Sequence, residues 1–471
     1  MTPHLPRSPH SRRQFLGRSI AFSAGFIGLH AMFARSGQSL GVALAAAGDD
    51  RLVPDPEKIL DLPPGFSYKV ISRAGGPMSD GLLVPGRPDG MAAFQGENGV
   101  TLLVRNHELE ASWVPLSAFG PGNRLLKNID PEFIYDTGRG VRPSLGGTTT
   151  VVYDTAKERV VREFMSLAGT NRNCAGGPTP WGTWLTCEED DVNEGKDDAE
   201  VRHGYVFEVV PTIEPKLSRP VPIKPMGRFM HEAVCVDPRT HIVYQTEDRA
   251  DGLIYRFIPE NRDNIHAGGR LQALALADAP SAKTGNRPKR TIEPGTKLAV
   301  RWIDLDEIDA PKDDLRHRGF AAGAAMFARG EGMWWGNGSA YFAATIGGAA
   351  QKGQLWRYTP STAEGTDAER DEPGVLELFI EPNDGRVIEN ADNITVAPWG
   401  ELFACEDGYE HVDAGNRLLR ISPEGTVRTF ARNASSDGEF AGVCFSPDGS
   451  TMFVNLQIDN LTLAVRGPWR E

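Results

Sequence analysis

Acidic residues recur in this sequence as pairs that close short apolar runs. Thr183–Cys187 runs into Glu188 and Glu189, Ile242–Tyr244 is followed by Glu247 and Asp248, and Glu401–Cys405 ends on Glu406 and Asp407. Val100–Val104 is followed by Asn106, His107 and Glu108, and Asp392 with Asn393 forms a further set of acid and amide. Carboxylate and amide oxygens suit hard cations such as Ca2+. Zinc usually calls for His and Cys at short spacing, and neither His-Glu-x-x-His nor Cys-x-x-Cys occurs. Acids that converge repel one another, so a convergent set persists only where cations neutralise it. One Glu-Asp pair at a strand end is ordinarily a solvated turn; recurrence at the same offset is what points to a multi-metal centre. Cys174 lies in a glycine-rich stretch, Asn173-Cys174-Ala175-Gly176-Gly177. A thiolate beside such oxygens suits a transition metal better than Ca2+. Arg329 stands two residues before Glu331, which glycines flank. Close backbone approach and a cation next to a metal ligand are what an anionic substrate needs. His107, His231 and Trp334-Trp335 read as packing residues.

The elements that must bring these groups together are short and repeated. A Pro/Asn/Gly turn, a strand of five or six residues and then acid or amide recur with turn markers at Gly99, Gly182, Thr240, Gly338, Gly400 and Gly449. The mean spacing is about 70 residues, in the range of propeller units carrying insertions. The expected fold is all-β, a six-bladed β-propeller with inserted loops and short helices, with seven or eight blades the alternatives. Insertions are expected near 123–136 and 261–296. In a propeller, equivalent strand ends meet at one mouth, and the acids would meet there.

Of 471 residues, 40% are hydrophobic and 24% charged, with a formal net charge of −13. That composition supports a large core, excludes a disordered chain, and gives no basic footprint for nucleic acid. Residues 1–47 carry Arg12-Arg13, an uncharged stretch from Ser19 to Ala34, and small residues at Ala43–Ala47. The stretch is shorter than the roughly 20 residues of a permanent span. It reads as a twin-arginine signal peptide. A single catalytic propeller domain over 48–471 follows, periplasmic or extracellular, with no stable membrane span and the twin-arginine export machinery as partner. Five cysteines remain, an odd number, and Cys187, Cys235, Cys405 and Cys444 are compatible with disulfides or with buried thiols.

Several stretches together resemble the PhoX family of secreted alkaline phosphatases. They are Arg105–Glu108, Gly146–Thr150, Asn173–Gly177 with Pro180–Trp184 and Glu188-Glu189, Gly227–Glu232, Thr246–Asp248, Glu331–Trp335, Cys405–Gly408 and Glu439–Gly442. The resemblance implies a twin-arginine-exported propeller with a cluster of two Fe3+ and three Ca2+ ions. It implies Cys174 as an iron ligand and Glu189, Glu247 and Glu331 as ligands of iron or calcium. Glu108, Glu406 and Asp407 would be further metal ligands. Arg329 would contact the phosphoryl group with Asn173 beside it. The activity implied is hydrolysis of phosphate monoesters by a metal-bound oxo or hydroxide nucleophile. Such hydrolysis is so slow uncatalysed that ~20 kcal/mol or more of barrier reduction is needed. Two rival readings are a calcium-dependent propeller lactonase or esterase, and a non-catalytic propeller whose acids hold structural calcium.

Overall fold

The computed structural model describes residues 51–408 and 415–469; the signal peptide expected over 1–47 lies outside them. The fold is antiparallel β throughout, with one short α-helix, Leu315–Ala321, and several single 3-10 turns among the described residues. Most inner segments are buried without alternation. Val100–His107 is buried at every residue after the first, and Met452–Leu456 throughout. Sheets stacked face to face cover both sides of such a strand, which is why the period-2 signal is weak.

Six innermost strands surround an axis, each packed against the next. They are Pro88–Gln95, Asn173–Pro178, His231–Val236, Gly330–Gly336, Ala391–Val396 and Phe440–Phe445, the last closing on the first. Each turns back into a second strand through the hairpin that carries one of the sequence turn markers. At Asn98-Gly99 and Asn337-Gly338 both residues take positive φ, the backbone of a tight hairpin turn that Asn-Gly accepts with little strain. The second strand, Ser67–Arg73, pairs with the last, Leu461–Arg466, Tyr68 opposite Val465, so segments near both ends of the described chain share one sheet.

The expectation of six separate blades is corrected. The strands form five sheets, of five, nine, four, four and three strands. The nine-stranded sheet arises because Lys297–Asp304, which follows the expected 261–296 insertion, pairs on both edges. Gln272 lies opposite Asp304 on one side and Ala299 opposite Val375 on the other. That inserted strand satisfies the outer edges of two neighbouring hairpin arrays and fuses them, removing two exposed edges.

The axis is narrow. A cavity of about 10 Å³, room for one water at most, is lined by Gly90, Ala175, Gly332 and Gly442 among others. A Cβ on Gly177 would sit 1.9 Å from the Val234 carbonyl oxygen, and one on Gly442 2.2 Å from that of Asp89. These close approaches draw the six strands together, and with them the side chains at their mouths.

Candidate metal centre and active site

Every innermost strand breaks register near its start. The irregularities fall between Pro88 and Met91, Asn173 and Gly176, His231 and Val234, Gly330 and Met333, Ala391 and Ile394, and Ala441 and Cys444. Five of these bulges contain Asp89, Cys174, Glu232, Glu331 and Asp392. A bulge re-aims one side chain without ending the strand. Together with second-strand ends and Glu439 they form linked groups whose ligand atoms lie within 4.8 Å of one another. The groups are Asp89, Glu108 and Cys174; Cys174, Glu189 and Glu232; Glu232, Glu331 and Asp392; and Asp392, Asp407 and Glu439.

The electrostatics are those of a site built around cations. Burial, and then the neighbouring Glu331 and Asp392, push Glu232 well above the ordinary carboxylate range. Burial pushes Asp89 up, aided by Glu108, and lifts Glu331, aided by Asp248. Asp392 is raised to about 7 by burial and then Asp407, and the Cys174 thiol is raised by burial and then Asp89. Both carboxylate oxygens of Glu232 are buried and have no hydrogen-bond partner. A buried carboxylate without partners is costly. This donor set of carboxylates and one thiol fits the iron and calcium ions that the family resemblance implies, because positive charge would satisfy the orphaned oxygens and restore the ionised forms.

The expected site residues divide. Cys174, Glu108, Glu189, Glu331 and Asp407 lie in the groups. Glu247 and Glu406 lie outside them. Glu247 Oε2 accepts from Leu253 N at 3.1 Å and Tyr255 Oη at 2.7 Å, while its Oε1 is buried without a hydrogen bond, 3.7 Å from Arg316 Nη1. Glu406 is clasped by Arg417, with Nη2 to Oε1 at 2.6 Å and Nε to Oε2 at 2.7 Å, and accepts from Glu389 N. Glu188 behaves likewise, accepting from Asn171 N, Gly204 N and Tyr205 N. In each pair the first acid turns to backbone amides, and the second (Glu189, Asp248, Asp407) faces the mouth, because successive residues at a strand end point to opposite sides. Asn173 is buried with its amide engaged. Its Nδ2 donates to Thr186 at 3.0 Å and its Oδ1 accepts from Thr170 at 2.5 Å.

Arg329 sits beside the cluster. Its Nε and Nη2 clasp Asp248 at 2.8 and 2.9 Å, and Nη2 approaches Glu331 Oε1 at 2.6 Å as a charge contact outside hydrogen-bond geometry. Nη1 has no partner among the described residues. Arg172, which sequence reasoning missed, does the same for Glu108 and Glu189, at 2.9 and 2.8 Å. Asp89, Glu232 and Glu439 were also not singled out as ligands, whereas Asp392, read with Asn393 as an acid-and-amide set, does lie in the groups. A signal existed: Arg87-Pro88-Asp89-Gly90, Arg172-Asn173-Cys174-Ala175 and Arg329-Gly330-Glu331-Gly332 share an arginine two residues before the ligand and a small residue after it. All three arginines have positive φ, a strained backbone that marks the entry to the bulge. His107 and His231 pack as expected, His107 between the Gly86 carbonyl and Thr149, His231 stacked on Phe229. All five cysteines are buried free thiols.

Beside the cluster opens a cleft of about 380 Å³ lined by Arg142, Arg172, Glu189, Asp190, Asp191 and Arg249, among others. Among the described residues no helix is long and apolar enough to cross a membrane.

The family model described as Alkaline phosphatase PhoX matches residues 48–119 and 144–459. Among solved structures, PhoX of Pseudomonas fluorescens in complex with vanadate, a transition state analogue, is similar at 19% identity and a TM-score of 0.64. It covers 90% of this chain and 98% of that one. A gluconolactonase of Xanthomonas campestris is similar at 12% identity and a TM-score of 0.40, with the same two coverages. No curated protein matches. With its matched segments spanning both the innermost strands and the second-strand ends that build the cluster, the chain belongs to the PhoX family of alkaline phosphatases.

Proposed function

We propose that this chain is an exported metal-dependent phosphatase that hydrolyses phosphate monoesters at a centre of iron and calcium ions. The observation that carries the reading is Glu232, whose two buried oxygens have no protein partner in the midst of carboxylates and the Cys174 thiol. Asp89, Glu108, Cys174, Glu189, Glu232, Glu331, Asp392, Asp407 and Glu439 would hold the ions. Ions held there would orient a phosphoryl group, neutralise its oxygens and acidify an attacking water. The vanadate bound by Pseudomonas fluorescens PhoX supports phosphoryl chemistry for the shared fold.

The chain's own residues supply the rest. Arg329 keeps Nη1 to donate to a phosphoryl oxygen, while Asp248 and Glu331 fix its guanidinium so that little side-chain freedom is lost on binding. Arg172 presents the second guanidinium at the cleft wall. Residues 1–47 serve as a twin-arginine signal and 48–471 as one catalytic domain, delivered folded to the periplasm or beyond.

Elemental analysis of exported protein, paired with turnover of a generic phosphomonoester, tests this. Iron, calcium, a visible thiolate-to-iron band abolished by Cys174→Ala, and phosphatase turnover are expected. A colourless calcium-only protein without phosphatase activity would overturn it. Arg329→Ala should lower turnover by ~100-fold with metals retained, on the scale of losing one transition-state donor.

A further inference from the structure

Residues 120–143 fall in the gap of the family match, between 119 and 144. The segment is a chain of short turns, Pro121–Asn123, Leu126–Asn128, Pro131–Phe133 and Gly138–Gly140. It is tied down firmly. Ile134 packs in a core cluster with Met78, Leu145 and Ala168, and bridges to Ala168 in the sheet. Asp136 is buried, accepting from Gly138 N at 2.7 Å and Glu200 N at 2.9 Å and meeting His203 Nε2 at 3.0 Å. His203 in turn holds Glu188, the residue before Glu189 of the cluster. The insertion is therefore fixed relative to the catalytic mouth.

From this platform Arg142 reaches the cleft that Arg172 and Glu189 also line. The other two cleft arginines are spoken for: Arg172 by Glu108 and Glu189, Arg249 by Asp191 at 2.8 Å and Asp313 at 3.3 Å. Arg142 is exposed, and among the described residues its side chain has neither a hydrogen bond nor an ion pair. An arginine held at a substrate cleft without a carboxylate partner is a site for an anion, which its planar fork can bind in bidentate fashion.

Resting on the phosphatase reading, we propose that Arg142 selects substrates by binding a second anionic group on the leaving-group side of the phosphate ester, such as a carboxylate or a further phosphate. Because the platform lies outside the segments matched to the family, the selectivity is proposed for this chain and not for the family as a whole. Glu110 and Asp197 line the same cleft and would favour the opposite choice, an ester with a cationic leaving group.

Steady-state kinetics of the metal-loaded enzyme on glycerol 3-phosphate, 3-phosphoglycerate and phosphoethanolamine decide the matter, with Arg142→Ala and Arg142→Glu alongside wild type. The expected result is a wild-type preference for 3-phosphoglycerate over glycerol 3-phosphate. That ratio of kcat/KM should fall about twofold to fivefold in Arg142→Ala, the scale of one exposed ion pair, and further in Arg142→Glu. The fall should lie in KM and diminish with added salt. An unchanged ratio in both variants, or a wild-type preference for phosphoethanolamine, overturns the proposal while leaving the phosphatase reading intact. No hydrolysis of any of the three esters overturns that reading, and this one with it.

Discussion

Two buried acid clusters in this molecule reach opposite solutions. In the outer part of the nine-stranded sheet, Arg256 holds Glu364 at 2.6 Å and Glu369 at 2.7 and 2.8 Å, and its Nε donates to Gln272. Glu364 also accepts from Tyr244, Tyr358 and Ser361 N, and Trp302 covers the guanidinium at 4.5 Å. Every charge there has a protein partner. At the mouth of the axis, Glu232 has none. A structural cluster carries enough protein cations to pair every acid; at the mouth Arg172 and Arg329 reach Glu108, Glu189 and Glu331 but leave Glu232 without a partner, as a site for ions requires. Burial alone does not separate the two, because both are deep. Hydrogen-bond satisfaction does.

The contrast can be broken by exchanging single charges. Glu232→Gln should cost turnover by more than the 10- to 100-fold typical of outer-shell changes at metal sites, with lower metal content, yet leave the metal-free fold at least as stable because like-charge repulsion is relieved. A large loss of metal-free stability, read by urea unfolding, would mean that Glu232 is architecture after all. Arg256→Ala should do the reverse: ~3–5 kcal/mol of unfolding free energy lost, because Glu364 and Glu369 are left buried without their cation, while metal content and turnover of the folded enzyme persist.

His203 sharpens the comparison, since it is a protein cation that bridges the two solutions. Burial lowers its affinity for a proton, but Glu188 and Asp136 outweigh it and raise the imidazole to about 10. A group raised in the folded state stabilises fully below its unfolded value of 6.5, and that stability is lost as pH climbs through about 10. His203→Gln should cost about 1–3 kcal/mol at pH 6, the range for charge-assisted hydrogen bonds, and flatten the stability profile between these limits. The smallest signal is protonic. Asp392, raised to about 7 by burial and then by Asp407, should bind a proton in the metal-free protein at pH 6 and release it when ions are restored. Metal addition in weak buffer should therefore acidify the medium at pH 6 and do so less at pH 9.

The repeat was legible because hairpin turns are local: Asn98-Gly99 and Asn337-Gly338 need positive φ whatever surrounds them. The acid pairs were legible as strand ends for the same reason. Which acid of a pair faces the mouth was not, since one residue of register reverses the side. Glu247 and Glu406 consequently lie against backbone amides, Tyr255 and arginine, outside the grouped acids at the mouth. Asp89 and Glu232 were hidden because a bulge is a property of pairing between strands, and no single strand announces it. The sheet count went astray where Lys297–Asp304 pairs on both edges, a contact between segments some 75 residues apart in sequence.

The order of residues alone determined the turns, the all-β class, the family and the kinds of ligand atom on offer, since these depend on neighbours a few positions away. Only the closed ring decided that Cys174 and eight carboxylates share one mouth, that Arg172 clasps Glu108 and Glu189 as Arg329 does Asp248 and Glu331, and that Arg142 lines the cleft beside them. Those facts rest on glycines letting distant strands approach, and that approach is settled by packing across the whole chain.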